Sequence, residues 1–133
     1  MTRKKLGVLV ELLVARALNC SHIPSKGFDL LSLKNEKIEV RSRTVGTDGI
    51  IPRFTVNESK MNIADVFVGV QVDVNCNVIQ AFCVPKNSLI SLYNLRKQAN
   101  KIKQAHLSWT DISALSDTLD ITHQLQLIQD CVM

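Results

Sequence analysis

The stretch Asp65 to Val74, DVFVGVQVDV, constrains the fold more than any other part of the chain. Val66, Phe67, Val68 and Val70 make it apolar on both faces. Side chains alternate between two faces along a strand, so a strand of this kind must be covered on both sides. The reading is a central strand inside a layered α/β fold. Asn75, Cys76 and Asn77 turn the chain into a second run, Val78 to Val84, which makes a hairpin.

The other elements follow from their periods. Residues 3–19 read as a helix with Leu6, Leu9, Val10, Leu13 and Ala17 on one stripe. Val8, Leu12, Val14, Ala15 and Leu18 extend the apolar surface nearly all round, so the helix is expected to be largely buried. Its basic start and apolar middle resemble a signal peptide superficially. Glu11 interrupts the apolar run, Arg16 follows, and no small-residue cleavage site appears, so the segment is read as a helix of the mature protein. Ile51 to Val56 reads as a strand with Pro52 at its start or on an edge, and Asn57 to Asn62 as a short helical turn. From Pro85 the period becomes helical through Leu89, Leu92, Tyr93 and Leu95. Ser108 to Asp111 has the form of a capping box. Ile112, Leu115, Leu119, Leu125 and Ile128 then give an apolar face over two helices broken near Asp117 and Thr118. The expected fold is α/β, a mixed sheet flanked by helices. One domain is expected over residues 1–133, with a core at about 3–84 and a C-terminal helical part at about 86–130.

Charge is unevenly spread. Residues 104–133 carry four Asp and no Lys or Arg, while the remaining 103 residues hold all 16 bases and the other 8 acids. Lys86, Arg96, Lys97, Lys101 and Lys103 form an acid-free basic run. A basic body with an acidic tail suits a polyanionic partner. No run of 18 apolar residues is present, so no membrane span is expected. Cys20, Cys76, Cys83 and Cys131 have no zinc-type spacing and fit free thiols in a reducing cytoplasm. His22, His106 and His123 have no spacing that suggests ligands or a triad, although His22 and Ser25 lie where a phosphate could approach the first strand.

The chemistry concentrates in Gly27 to Arg43, GFDLLSLKNEKIEVRSR. Phe28 to Leu33 and Lys37 to Arg43 read as paired strands around Lys34, Asn35 and Glu36. A three-residue loop pairs Leu33 with Lys37, Leu31 with Glu39 and Asp29 with Arg41, so Asp29, Glu39 and Arg41 share a face. A two-residue loop turns Asp29 away. Two carboxylates and a cation on one patch suit metal-dependent phosphodiester hydrolysis. Glu11, surrounded by apolar helix surface, requires a partner: a base at the helix rim or a role in the same site.

Over residues 7–84, this order of elements and these residues resemble the PD-(D/E)XK nuclease superfamily, which includes restriction endonucleases and archaeal-type Holliday junction resolvases. The resemblance rests on Gly27-Phe28-Asp29, on Glu39-Val40-Arg41 ten residues later, and on Glu11 in the first helix. It implies a restriction endonuclease-like αβββαβ core. It also implies Asp29 and Glu39 as ligands of Mg2+ or Mn2+, Glu11 as an outer helper, and Arg41 at the position of the family lysine. Phe28 stands where the family often has Pro. Guanidinium stays protonated, so Arg41 can stabilise phosphate charge but cannot act as a general base. Lys60 is the candidate for a displaced lysine, and Arg43, Lys60, Lys97, Lys101 and Lys103 are candidates for nucleic-acid contacts. The function expected is magnesium-dependent DNA hydrolysis on duplex or branched DNA. The alternatives are a nuclease-like module that binds without cutting, and an interaction subunit whose tail, Trp109 to Ile128, packs on its own core or on a second copy as a homodimer.

Overall fold

The computed structural model describes residues 2–23 and 27–132. Thr2 caps the first helix, α1 (Arg3–Leu18), by accepting the Lys5 N–H, and Asn19 ends it in the left-handed region at φ 55°. The chain then forms β1 (Ser21–His22), β2 (Leu30–Leu31), β3 (Lys37–Thr44) and β4 (Phe54–Val56). A short helix, α2 (Glu58–Ile63), leads to β5 (Val66–Val72) and β6 (Val78–Pro85). The remainder is α3 (Lys86–Arg96), β7 (Ala105–Leu107), α4 (Trp109–Ser113), β8 (Leu119–Asp120) and α5 (Thr122–Val132).

Six strands form a mixed sheet in the order β1-β2-β3-β5-β6-β8. Among the described residues only the β3–β5 pairing is parallel, and it is reached by a crossover through β4 and α2. All seven residues of β5 are buried, as its two apolar faces require. Val66, Val68, Val70 and Val72 face a core closed by Leu6, Val10, Leu13 and Val14 of α1 and Leu125 of α5. Phe67 faces a second core of Phe54, Phe82, Leu89, Tyr93, Trp109 and Ile112. There Phe54 and Phe82 lie against Trp109, with ring centroids 6.1 and 4.7 Å away. Gly69 makes this closeness possible. A Cβ at that position would meet Phe82 Cζ at 2.6 Å and Trp109 Cη2 at 2.8 Å.

Four sequence expectations change. Strand β4 starts at Phe54 rather than Ile51 and leaves the main sheet to pair with β7 as a separate two-stranded sheet. Pro52 lacks an N–H, which removes a ladder donor from the start of that run. The hairpin turn is longer than expected, with register Leu30↔Ile38 and Leu31↔Lys37. Ser32 sets it: its Oγ accepts the N–H groups of Lys34 and Glu36, its own N–H donates to Glu36 O, and Asn35 takes φ 64°. Helix α1 is less buried than its composition suggests, because Val8 and Leu12 remain exposed. Finally, β1 and β8 are two-residue strands that no periodicity announces. Among the described residues no helix is long and apolar enough to cross a membrane.

Candidate active site

Strand β3 carries the site. Its register places Glu39 beside Phe67, Arg41 beside Gly69 and Arg43 beside Gln71, so these three polar side chains share the sheet face of the aromatic core. Asp29 lies in the bend just before β2, where its carboxyl approaches that of Glu39, and the β2–β3 register sets Leu31 opposite Lys37 rather than opposite Glu39. This is a shift of two residues from the sequence expectation, and an even shift keeps the face. Asp29 is fixed on both sides: its N–H donates to Ile38 O at 3.0 Å, and its Oδ2 accepts the Val40 N–H at 2.8 Å.

Glu39 is 3% exposed. Its Oε2 lies 3.4 Å from Arg41 Nε, and its Oε1 lies 3.4 Å from Lys60 Nζ. Lys60 reaches the site because α2 starts where Asn57 Oδ1 accepts the Lys60 N–H, and its ammonium also donates to Gly27 O at 3.1 Å. The two ion pairs are within Coulombic range, yet Glu39 Oε1 and Arg41 Nε have no well-formed hydrogen bond. Burial pushes the Glu39 carboxyl up to about 7. The Asp29 charge adds to this, and Arg41 and Lys60 pull in the opposite direction.

Glu11 stands one step further out. Its Oε1 lies 2.8 Å from His22 Nε2. Its pKa is raised, first by burial, then lowered by the His22 hydrogen bond and raised by the Asp29 charge. The partner that a half-buried acid requires is therefore His22, whose spacing in the sequence suggested no ligand or triad. The signal was the acid itself, and the two-residue strand that presents His22 is too short to be legible. Ser25 lies outside the described residues.

The expected nucleic-acid contacts divide into two groups. Arg43 lies two residues beyond Arg41 on the same face, with Nη1 donating to Ser42 O at 2.8 Å. Its pKa is lowered by burial and by the neighbouring Arg41 and Arg3. Lys97, Lys101 and Lys103 belong to the segment after α3. Lys97 sits over the Tyr93 ring at 5.9 Å, Lys103 pairs with Glu58 at 3.5 Å, and Lys101 lines a groove with Asn57 and Asn62 of α2. Lys101 and Lys103 border the helix that delivers Lys60, and none of the three lysines pairs with Asp29 or Glu39 among the described residues.

Among the described residues, no three His, Cys, Asp or Glu side chains cluster as a metal cage. Asp29 and Glu39 nevertheless fit a magnesium-type ion, which takes one or two carboxylates and retains several waters. An under-bonded buried oxygen on Glu39 and a carboxyl held up to about 7 beside a second acid are what a divalent cation would relieve. Comparison with protein-family models and with curated proteins yields no match.

Proposed function

We propose that the chain is a metal-dependent nuclease with a restriction endonuclease-like core, hydrolysing DNA phosphodiester bonds. One observation carries this reading: Asp29, in the bend before β2, meets Glu39 of β3, with Lys60 and Arg41 each 3.4 Å from an oxygen of Glu39. The element order supports it as well. With β1 counted as the first of three antiparallel strands, and β4 set apart in its own small sheet, the main-sheet order is helix, three strands, helix, strand, and that last strand is parallel to β3.

In this reading Asp29 and Glu39 hold the divalent ion, which when bound lowers the pKa of an attacking water and offsets charge on the phosphate. Lys60 supplies the ammonium that the family motif places two residues after the Glu. Arg41 stays cationic and stabilises the charge that grows on the phosphoryl oxygens. The attacking water forms a bond to phosphorus, the bond to the leaving oxygen breaks, and that oxygen takes up a proton. Glu11, held by His22, keeps the electrostatic surroundings of Asp29 negative and favours cation uptake.

The test is incubation of the protein with plasmid, branched and single-stranded DNA in magnesium or manganese. Cleavage by the native chain and none by the Asp29→Ala, Glu39→Ala double variant is expected. A chain that cuts none of these substrates, or a double variant that cuts equally well, overturns the reading.

A second reading is favoured by the same two ion pairs. Lys60 and Arg41 already balance the charges of Glu39 and Asp29, so the fold serves equally as a nucleic-acid binding module without turnover. That module would bind duplex in EDTA, lose affinity steeply with salt, and be indifferent to Glu39→Gln. For the interaction-subunit reading, α5 offers less than its sequence suggested. Ile121, Leu125 and Ile128 pack into the aliphatic core, while Leu127 of that helix is exposed.

A further inference from the structure

The loop between β3 and β4 leaves two adjacent isoleucines in solvent, Ile50 at 71% and Ile51 at 58% exposure. Leu33 and Leu95 are at least as exposed, but each stands singly. The isoleucines are held out by a defined turn. Asp48 Oδ1 accepts the Ile50 N–H at 3.0 Å, Gly49 N–H donates to Gly46 O at 3.1 Å, and Gly49 takes φ 75°. A side chain other than hydrogen at Gly49 would be strained in that conformation.

The surroundings of this turn are cationic. Pro52, next to Ile51, shares a cleft of about 220 Å³ with Arg3, Ser42, Arg43 and Thr44. Arg53 follows, exposed. Asp48 is the sole acid between Val40 and Asn57, and its carboxylate is occupied by the turn. Along β3, Arg41 and Arg43 continue the face of Glu39 at intervals of about 6.6 Å, because a strand rises about 3.3 Å per residue. A row of cations therefore runs from the two carboxylates to the foot of a small apolar tip.

We infer that Ile50 and Ile51 form a wedge that enters a DNA duplex between base steps while Arg41, Arg43 and Arg53 hold its phosphates. The inference rests on the nuclease-fold reading, because it takes the strand that bears Glu39 as the track the duplex follows. Apolar side chains inserted at a base step partly unstack and kink the duplex, and flanking arginines offset the phosphate charge. Glu39 and Thr44 are about 17 Å apart along β3 at that strand rise, which corresponds to about five base-pair steps of 3.4 Å.

The probe is a set of duplexes carrying 2-aminopurine at successive positions, read by fluorescence with calcium in place of magnesium, alongside binding by anisotropy. The native chain should bind and brighten the probe at one step. The Ile50→Ser, Ile51→Ser variant, changed only at exposed positions, should bind about threefold to tenfold more weakly and lose the brightening. Binding by the native chain with no brightening at any position, or brightening that survives in the variant, overturns the wedge and leaves the nuclease-fold reading standing. No duplex binding by the native chain overturns both. Vesicles of anionic phospholipid complete the set: isoleucine-dependent vesicle binding without an effect on DNA assigns the loop to a lipid surface and overturns the wedge.

Discussion

The two faces of β5 are buried to the same degree and do different work. One presents Val66, Val68, Val70 and Val72 to α1 and α5, an aliphatic layer in which volume is the main requirement. The other presents Phe67, Gly69 and Gln71, and across β3 the same face presents Glu39, Arg41 and Arg43. It has to accommodate rings, a missing side chain and charges within one layer. The polar site begins where the aromatic packing stops, at the edge between Phe67 and Glu39. A uniform core tolerates substitution; a core that borders a site has to be fitted residue by residue.

Mutations can break this comparison, beginning with the largest effect. Phe82→Ala should cost about 3–5 kcal/mol, measured by urea unfolding. Gly69→Ala should cost about 1–3 kcal/mol by overpacking, because the new methyl collides with Phe82 and Trp109. Combining the two should cost clearly less than their sum, since truncating Phe82 removes one of the two collisions. Two substitutions at opposite ends of the aliphatic face of β5, Val66→Ala and Val72→Ala, about 20 Å apart at the strand rise, should add. Additivity in both pairs would erase the distinction between the faces.

The next effect separates the site from the core by pH. Glu39 has a folded pKa of about 7 against 4.5 for the ordinary carboxyl. The folded chain therefore binds more protons than the unfolded one between these values, and stability falls as pH rises through that window. The stability is fully present below about 4.5 and lost above about 7, a loss of roughly 3 kcal/mol for a shift of this size. Glu39→Gln should flatten the profile. Identical profiles for the two chains would mean that Glu39 is not held in the environment described.

Magnesium sharpens the same point. If the ion binds between Asp29 and Glu39, it stabilises the folded chain, by about 2.7 kcal/mol at a concentration a hundredfold above its Kd. The rise in Tm should be largest above pH 7, where Glu39 is ionised, and absent in Asp29→Asn. A Tm that ignores magnesium at every pH, or a rise that Asp29→Asn retains, removes the shared ion. Below this comes the capping residue of α2: Asn57→Ala should cost about 1 kcal/mol and loosen Lys60. Smallest is Lys103→Ala, expected to change stability by less than about 1 kcal/mol, because its pair with Glu58 is half exposed.

What the sequence disclosed follows from the same contrast. The aliphatic face was legible: Val66 to Val72 announces itself by having two apolar faces, and Leu6, Val10 and Leu13 by their helical spacing. The side of the sheet near the site was less so. Strand β7 is three residues long and takes its identity from Phe54 to Val56, about fifty residues away, which no local period encodes. The expected hairpin brought Asp29 near Glu39 but set Leu31 opposite Glu39 rather than Lys37, because the turn depends on a hydroxyl on Ser32 rather than on hydrophobic alternation. Lys60 was a candidate only by resemblance. Its approach to Glu39 follows from the Asn57 cap and from the Gly27 carbonyl that accepts its hydrogen bond.

The Ser32 turn has one further consequence, for insertions and deletions. Because strand side chains alternate, the number of residues between Leu31 and Lys37 acts as an even-or-odd setting for everything N-terminal to it. Deleting one residue from 32–36 would swing Asp29 to the aliphatic side and Leu30 out of it, breaking the carboxylate pair and a core layer together. Deleting two would restore both faces and return the shorter hairpin the alternation alone suggested. Length change in this turn is thus tolerated in steps of two and forbidden in steps of one.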